Sequence, residues 1–427
     1  MADGDSHETD TSATDSRTGE GVDRRRFLKG SGTVAGGLAA ASVAGAASAA
    51  TQASAATTSE AAASADQGVT KLKTVVARPD LWFYPGEELD PNEMRVTLMG
   101  TGWGNIIRHD QKGASIFVEL GNGDSFIFDI GPGSGINYNT MQVPASRMSK
   151  IFLTHLHTDH TSDLAWVYTF GPASDRFVPL EVYGPSGPKP ELGTKANIEG
   201  IKTLTQWHRP TFEATLNVGQ AYDLQITELD YRQNPGVAYE KNGVKIIHFP
   251  ALHIADGAIS YRLDWNGLSF VWSGDTQPNH FVIDNAKGVD LLIHETAPSV
   301  ERFSQATGQS MEIAKGIVAA SHTPAKALGK ILQLTNPSLG VTCHSPIDPQ
   351  EWQDFYNGVA SHWDGKYQIG EDLMVFNVSK DAITVRKGGI HGRPWQPNVV
   401  APAANTPTTN VKDLQSAMFQ TEVLKDY

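Results

Sequence analysis

The sequence predicts an α+β fold: two packed β-sheets with helices on both outer faces, four layers in the order αββα. Three observations carry this. From Met94 to about Arg386, short strand-like apolar runs are interspersed with helical patterns. Two pairs of these runs are joined by turns suited to positive φ, at Gly121-Asn122-Gly123-Asp124 and Trp265-Asn266-Gly267. No repeat of fixed period appears, which argues against a solenoid or propeller.

In chain order, the first strand is Arg95–Gly100, running into Gly-Thr-Gly. Ser115–Leu120 and Ser125–Ile130 form a hairpin, and Ile151–Leu153 is a brief buried strand. Further strands are expected at Leu180–Tyr183, Leu224–Glu228, Val244–Phe249, Ile259–Asp264 and Leu268–Trp272. Asp290–Ile293, Ser338–Thr342 and Leu373–Asn377 complete the set. Helical patterns fit Asn197–Thr205, Met311–Ala319, Pro324–Leu334 and Pro349–Val359, with Pro324 as a first-turn proline. Gly389–Thr409, rich in Pro, Asn and Ala, reads as a surface tail, and Val411–Tyr427 as a closing helix.

The chain has 427 residues, 40% of them hydrophobic and 19% charged, as in ordinary soluble domains. Its formal net charge is −13. Residues 1–66 carry 9 acids and 5 bases, leaving 38 acids against 29 bases in the remainder. An acidic domain repels nucleic-acid phosphates unless its bases gather on one face, so a small-molecule substrate is expected and no nucleic-acid partner. A homodimer is compatible with these features. The single cysteine, Cys343, excludes an intrachain disulfide.

The N-terminus reads as an address. Residues 1–22 are mostly Asp, Thr, Ser and Gly and are expected to be disordered. Arg24-Arg25-Arg26-Phe27-Leu28-Lys29 then leads into a Gly/Ala run from Gly30 to Ala50. This resembles a twin-arginine (Tat) signal, with small-x-small cleavage sites at Ala47-Ser48-Ala49 or Ala53-Ser54-Ala55. The run is too mildly apolar for a membrane span, so no membrane insertion is expected after cleavage. That route exports folded proteins to the periplasm or beyond, so a secreted protein is expected, which suits a chain without disulfides. The expected organisation is a signal region at 1–66, an N-terminal extension at 67–94, the αββα domain at 95–386 and a tail at 387–427.

The chemistry centres on Thr154-His155-Leu156-His157-Thr158-Asp159-His160. A tight loop after a strand aims four short-reach donors into one cavity. His155 and His157 suit one metal ion, and Asp159 and His160 can turn towards a second. Imidazole with carboxylate suits zinc and also admits iron or manganese. Downstream, His253, Asp275 and His344 each fall just past an expected strand, where a sheet edge presents side chains to a cleft. Asp275 could bridge two ions.

The order H-x-H-x-D-H, His, Gly-Asp-Thr, His resembles the metal pattern of the metallo-β-lactamase superfamily. The chain looks most like its ribonuclease Z and arylsulfatase-like branch. Met94–Gly102 resembles that branch's opening strand, and Phe126-Ile127-Phe128-Asp129-Ile130-Gly131 its second landmark. Leu291–Thr296 and Ser321-His322-Thr323 resemble its paired Glu and His motifs. Gly100–Asn105, with Gly184–Gly187 and Glu191–Lys195, looks similar to the guanitoxin-biosynthesis metallohydrolases. The resemblance implies an αββα metallohydrolase with two Zn2+ ions per chain. His155, His157 and His253 would bind one, Asp159, His160 and His344 the other, and Asp275 would bridge. It also implies that Glu295 and His322 protonate a leaving group, with Asp159 also accepting a hydrogen bond from the attacking metal-bridged hydroxide.

Ribonuclease Z carries a basic arm that grips transfer RNA. The corresponding Pro188–Asn217 holds only Lys189, Lys195, Lys202 and Arg209 as bases, so RNA processing is not expected. The sequence favours a hydrolase of a small sulfate or phosphate ester. The alternatives are a lactonase or β-lactamase-type acyl hydrolase, which does not need the Glu295/His322 donor, and a non-catalytic binding protein. His109, His208, His248, His280, His294, His362 and His391 lack diagnostic spacing and are expected to be structural. Trp103, Trp166, Trp207, Trp265 and Trp272 are expected in the core or cleft wall, and Cys343 as a buried hydrophobe.

Overall fold

Alternate residues of a strand face opposite ways, and in this protein both faces of most strands are apolar. Ile116 and Val118 point into one core while Phe117 between them points into another. Such strands need cover on both sides, and a four-layer arrangement supplies it. The computed structural model describes residues 72–104, 108–345, 349–389 and 414–416. The twin-arginine segment, both cleavage sites, Asn105, His391 and most of the tail lie outside the described residues. All described residues belong to one unit, Gly68–Tyr427.

Seven strands open the chain: β1 (Thr74–Ala77), β2 (Met94–Gly100), β3 (Ser115–Leu120), β4 (Ser125–Phe128), β5 (Lys150–Phe152), β6 (Leu180–Pro185) and β7 (Leu224–Leu229). The second sheet follows: β8 (Gly236–Lys241), β9 (Val244–Pro250), β10 (Ile259–Trp265), β11 (Leu268–Trp272), β12 (Leu291–Glu295), β13 (Leu339–Cys343) and β14 (Tyr367–Ile369). The chain then returns through β15 (Met374–Val378) and β16 (Ala382–Lys387). The sheets run β1-β16-β15-β2-β3-β4-β5-β6-β7 and β14-β13-β12-β11-β10-β9-β8. Strands β4 to β7 are mutually parallel, as are β11 to β14.

The main core lies between the sheets, where Val96, Leu98, Phe128 and Phe152 meet Ile246, Tyr261, Phe270, Trp272 and Ile293. A second core lies under α1 (Ser134–Thr140), α2 (Thr158–Thr161), α3 (Leu164–Phe170), α4 (Thr194–Leu204) and α5 (His208–Glu213), with Tyr138, Leu164 and Ile198 against Phe117 and Ile151. On the opposite sheet, α6 (His280–Asn285), α7 (Val300–Thr307), α8 (Met311–Ser321), α9 (Ala325–Thr335) and α10 (Pro349–Ala360) follow, and Leu328, Ile331 and Val359 pack on Val271 and Leu292.

Every strand expected from the sequence is present, with ends moved by one or two residues. The extension at 67–94 supplies β1, which pairs in parallel with β16 from Thr74↔Ala382 to Ala77↔Val385. Trp207 departs from expectation: it is 78% exposed, at the turn between α4 and α5. Trp265, Trp272 and Cys343 are buried as expected.

Candidate metal centre and active site

Parallel strands end together, and their C-terminal ends gather the polar residues of this protein at one cleft. Asp129 follows β4, His155 lies just past β5, Asp275 past β11, Glu295 ends β12 and His344 follows β13. His253 comes from the loop after β9. The histidine loop, which follows β5 of the first sheet, is pinned by β10 of the second: Tyr261 donates its hydroxyl to the Leu153 carbonyl at 2.8 Å, and the Ile259 N–H donates to the Thr154 carbonyl at 2.9 Å. Two glycines allow this close packing. Gly274 has φ 56°, and a Cβ there would sit 2.7 Å from Thr154 Cβ. A Cβ on Gly131 would lie 2.1 Å from the Asp159 carbonyl oxygen.

The predicted donors form two groups joined by one carboxylate. The first is His155, His157, His253 and Asp275, and the second Asp159, His160, Asp275 and His344; within each, one donor atom per residue lies within 4.8 Å of all the others. His157 Nδ1 lies 3.0 Å from His155 Nε2 and 3.2 Å from His253 Nε2. Asp275 divides its oxygens between the groups. Its Oδ2 is 3.8 Å from both His155 Nε2 and His253 Nε2, and its Oδ1 is 3.2 Å from both His160 Nε2 and His344 Nδ1.

Imidazoles become good ligands when the far nitrogen has a partner that fixes the tautomer. His160 Nδ1 lies 2.9 Å from Asp129 Oδ2. His253 Nδ1 donates to the Ser321 carbonyl at 2.9 Å. Thr154 Oγ1 donates to Asp129 Oδ2 at 2.8 Å, so it accepts from His155 Nδ1 at 3.1 Å. In each case Nε2 is left facing the centre. His160 Nε2, Asp275 Oδ1 and His344 Nδ1 are buried without a hydrogen-bond partner. Buried polar atoms without partners are costly, and three convergent ones fit a cation. The donor set therefore fits metal ions.

Electrostatics agree with ligand roles for His155, His253 and the two carboxylates. At His160, burial is outweighed by Asp275, Asp129 and Asp159, which hold that imidazole well above the usual range, a positive charge that a bound cation would replace. Burial, helped by the neighbouring His160, pushes His155 well below the usual imidazole range. Burial brings His253 down to about 4. Both are thus in the neutral, ligating form at pH 7. Burial opposes the ionisation of Asp159 and Asp275, but the adjoining imidazoles outweigh it and hold both below the usual carboxylate range.

Beside this centre His322 Nδ1 lies 3.0 Å from Glu295 Oε1, which also accepts the Thr276 N–H at 2.7 Å. Both side chains are buried. Burial pushes the Glu295 carboxyl up against the pull of His322. Burial also opposes charge on His322, yet Glu295 raises that imidazole to about 9. A cavity of about 520 Å3 is lined in part by His157, Asp159, His253, Asp275, His322 and His344.

All predicted site residues are therefore brought together. None of the described histidines expected to be structural belongs to these groups. Asp129, Thr154 and Ser321 are the supporting residues that motif reasoning did not assign. Asp129 carried a signal, an acid at the end of the apolar run Phe126-Ile127-Phe128, whereas the Ser321 contact uses a backbone carbonyl and leaves no mark in the sequence.

Residues 94–308, half of the chain, match the family described as anti-Pycsar protein Apyc1. The chain belongs to that family, within the metallo-β-lactamase superfamily of hydrolases. It is 33% identical to the ribonuclease Z of Mycobacterium avium (strain 104) over 209 residues, 47% of this chain and 69% of that protein. With the ribonuclease Z of Mycobacterium marinum (strain ATCC BAA-535 / M) it shares 27% over 289 residues, covering 66% and 97%. A solved structure, the metallo-β-lactamase fold protein YhfI from Bacillus subtilis, superposes with a TM-score of 0.49 at 17% identity over 67% of this chain and 100% of that one. The superfamily and fold expected from the motifs are borne out.

Proposed function

We propose that this member of the family is an exported binuclear zinc hydrolase of a small-molecule phosphate or sulfate ester. The observation that carries the ester assignment is the His322–Glu295 pair, buried beside the metal-binding groups with Nδ1 and Oε1 3.0 Å apart. Two bound zinc ions would lower the pKa of an attacking water and balance the charge developing on the ester. His155, His157 and His253 would hold one, Asp159, His160 and His344 the other, with Asp275 shared.

The chain's own groups do the rest. Asp159 would accept a hydrogen bond from the water. The water gives up one proton to solvent, and its oxygen bonds to phosphorus or sulfur as the bond to the alcohol oxygen breaks. His322, its Nδ1–H held by Glu295, gives the Nε2 proton to the departing alcohol. Acyl transfer to water has no need of such a donor. Relatives named ribonuclease act on a phosphodiester polymer, but this acidic chain has only four bases in Pro188–Asn217. That supports a small substrate without a nucleic-acid partner. Export is supported by Arg24–Lys29 and the Gly/Ala run after it. Among the described residues no helix is long and apolar enough to cross a membrane.

The test is metal analysis of the expressed protein together with a panel of chromogenic phosphate, sulfate, lactone and β-lactam substrates. Two metal ions per chain and turnover of phosphate or sulfate esters are expected. Turnover confined to lactones or β-lactams would replace this function with acyl hydrolysis. Absent turnover throughout would favour a binding protein.

A further inference from the structure

Gly100-Thr101-Gly102, at the end of β2, supplies neither a metal ligand nor a proton, but it joins a buried acid to the metal centre. The acid is Asp372, between β14 and β15. Its Oδ1 accepts the Thr101 N–H at 2.9 Å and the Thr101 hydroxyl at 2.8 Å. Its Oδ2 accepts the Lys112 N–H at 2.8 Å and the Asn137 side-chain amide at 2.9 Å. All four donors are neutral, so burial prevails and pushes the carboxyl up to about 6. It is still mostly ionised at pH 7, with each oxygen satisfied by two donors.

Thr101 and Lys112 are the two ends of one loop, and Asp372 ties them together. The Gly102 N–H adds a bond to the Lys112 carbonyl at 2.6 Å. A Cβ on Gly102 would lie 2.6 Å from that same oxygen, so the crossing requires glycine. The loop carries Trp103, whose ring lies edge-on to His322 and His344, with centroids 5.4 and 6.4 Å away.

The carbonyl of Thr101 faces the other way, towards the metal centre. It accepts the Ser345 N–H at 3.1 Å and the Gln111 side-chain amide at 3.1 Å, and the Gln111 amide also donates to the Ser345 carbonyl. Both backbone polar groups of Ser345 are thus held by the loop that Asp372 closes. Ser345 directly follows His344, whose φ is 47°. A histidine in the left-handed region stays there only where its surroundings hold it. The His344 ring has no outer partner of the kind that fixes His155, His160 and His253. Its Nε2 lies 3.0 Å from Asp159 Oδ2 and its Nδ1 3.2 Å from Asp275 Oδ1, both within the centre itself. Its direction therefore comes from the backbone.

Resting on the two-ion centre, we propose that Asp372 is a positioning residue for it: through Thr101 and Gln111, Asp372 sets the backbone at Ser345 and so aims the His344 ring.

The test compares Asp372→Asn and Thr101→Val with the parent protein. Asparagine turns one acceptor into a donor, and valine removes the hydroxyl bond at nearly constant shape. In metal-free protein, amide hydrogen exchange at Thr101 and Ser345 is expected to quicken about tenfold or more in Asp372→Asn, with the Ile259 amide unchanged. In protein loaded with cobalt(II), Asp372→Asn should release one ion to a weak chelator about tenfold sooner or more. The absorption spectrum that remains should match that of His344→Ala and not that of His253→Ala. Thr101→Val should show both effects in smaller measure, and Thr101→Ser should regain the parent behaviour. If Asp372→Asn does not fold, Thr101→Val decides by the same two readouts. Unchanged exchange at Ser345, or release of both ions alike with protection lost throughout the chain, overturns the proposal. Failure of the two-ion reading is distinguishable, because the parent itself then takes up fewer than two cobalt ions while exchange at Ser345 still decides the role of Asp372.

Discussion

Asp129 Oδ2 lies 2.9 Å from His160 Nδ1, and neither side chain is exposed to solvent. The carboxylate accepts three further hydrogen bonds: from the Thr154 N–H, the Thr154 hydroxyl and the Trp272 indole, each at 2.8 Å. A single buried acid therefore fixes the ring of His160 and the start of the loop that carries His155 and His157. It also joins the sheets, because Asp129 follows β4 and Trp272 ends β11.

Asp129→Asn keeps the shape but removes the charge and places an N–H group among donors. Loss of a carboxylate behind a ligating histidine typically weakens metal binding about 10–100-fold. The expected outcome is a folded protein that gives up one metal ion to a chelator much sooner than the other. Asp129→Ala leaves several buried donors unpaired and should lower stability by about 3 kcal/mol or more. Thermal unfolding and timed chelation check both; equal metal retention in Asp129→Asn and the parent would show that His160 is held by packing alone.

Asp275 tests the shared centre. Because one of its oxygens faces each donor group, Asp275→Asn should impair retention of both ions, whereas His253→Ala should impair only the first. Elemental analysis after dialysis against a weak chelator reads this directly. Loss of one ion alone in Asp275→Asn would mean two independent sites.

Much of this was legible in the sequence because its signal is local. A strand ending in H-x-H-x-D-H, or in Gly-Asp-Thr, states both the donors and where the backbone turns them. Inner strands such as β11 and β12 read clearly, being apolar on both faces. Strands β1, β8 and β14 did not, and the sheet order places all three at edges. An edge strand pairs through backbone groups and buries little, so its composition says little. β16 lies inside its sheet, and its Ile383-Thr384-Val385 run was a usable signal. Asp129 was visible as a motif residue, but its role depends on β4 lying beside β5, a juxtaposition that no spacing encodes. Trp207 failed for the opposite reason: large aromatics are usually buried, and only the placement of the turn between α4 and α5 exposes this one.

The His322–Glu295 pair has a defined pH signature. The imidazole is raised to about 9 by Glu295 in the folded protein, above its usual value near 6.5. A histidine raised on folding contributes stability that is complete below about pH 6.5 and is lost as pH rises through about 9. Metal-free protein should therefore lose stability between about pH 6.5 and 9, and Glu295→Gln should remove much of that slope. Proton NMR of the His322 ring gives the same quantity directly. A ring titrating at or below 6.5 with Glu295 intact would show that the pair is not an ion pair at neutral pH.

Export is open to a direct test. Changing Arg24, Arg25 and Arg26 together to Lys should leave the precursor in the cytoplasm, with its metal centre able to form. Fractionation and N-terminal sequencing check this, and continued accumulation of a processed protein outside the cytoplasm would rule out the twin-arginine route.

The leaving group separates ester from acyl chemistry at this site. An alkoxide is a poor leaving group and gains much from protonation, whereas nitrophenolate departs unaided. General-acid help is worth about 10²–10⁴-fold, or roughly 3–5 kcal/mol of barrier. With Glu295 holding Nδ1–H of His322, His322→Ala should lose activity towards esters of poorly acidic alcohols by about that factor, and towards nitrophenyl esters far less. Glu295→Gln should show the same pattern in milder form, since it leaves the imidazole in place but removes the charge that keeps it protonated. Metal content should stay unchanged in both, because the donor pair lies outside the two groups joined by Asp275; loss of an ion in either mutant would instead assign metal to the third convergent group, Glu295, His322 and His344. The pair acts as one unit, so the double mutant should be little worse than His322→Ala. Measured as kcat/KM across a series of alcohols, the parent should depend weakly on leaving-group pKa and the mutants steeply. Parallel lines would instead assign the pair to holding the cleft together, as the Thr276 N–H bond to Glu295 also allows, and the acyl alternative would then stand level with the ester one.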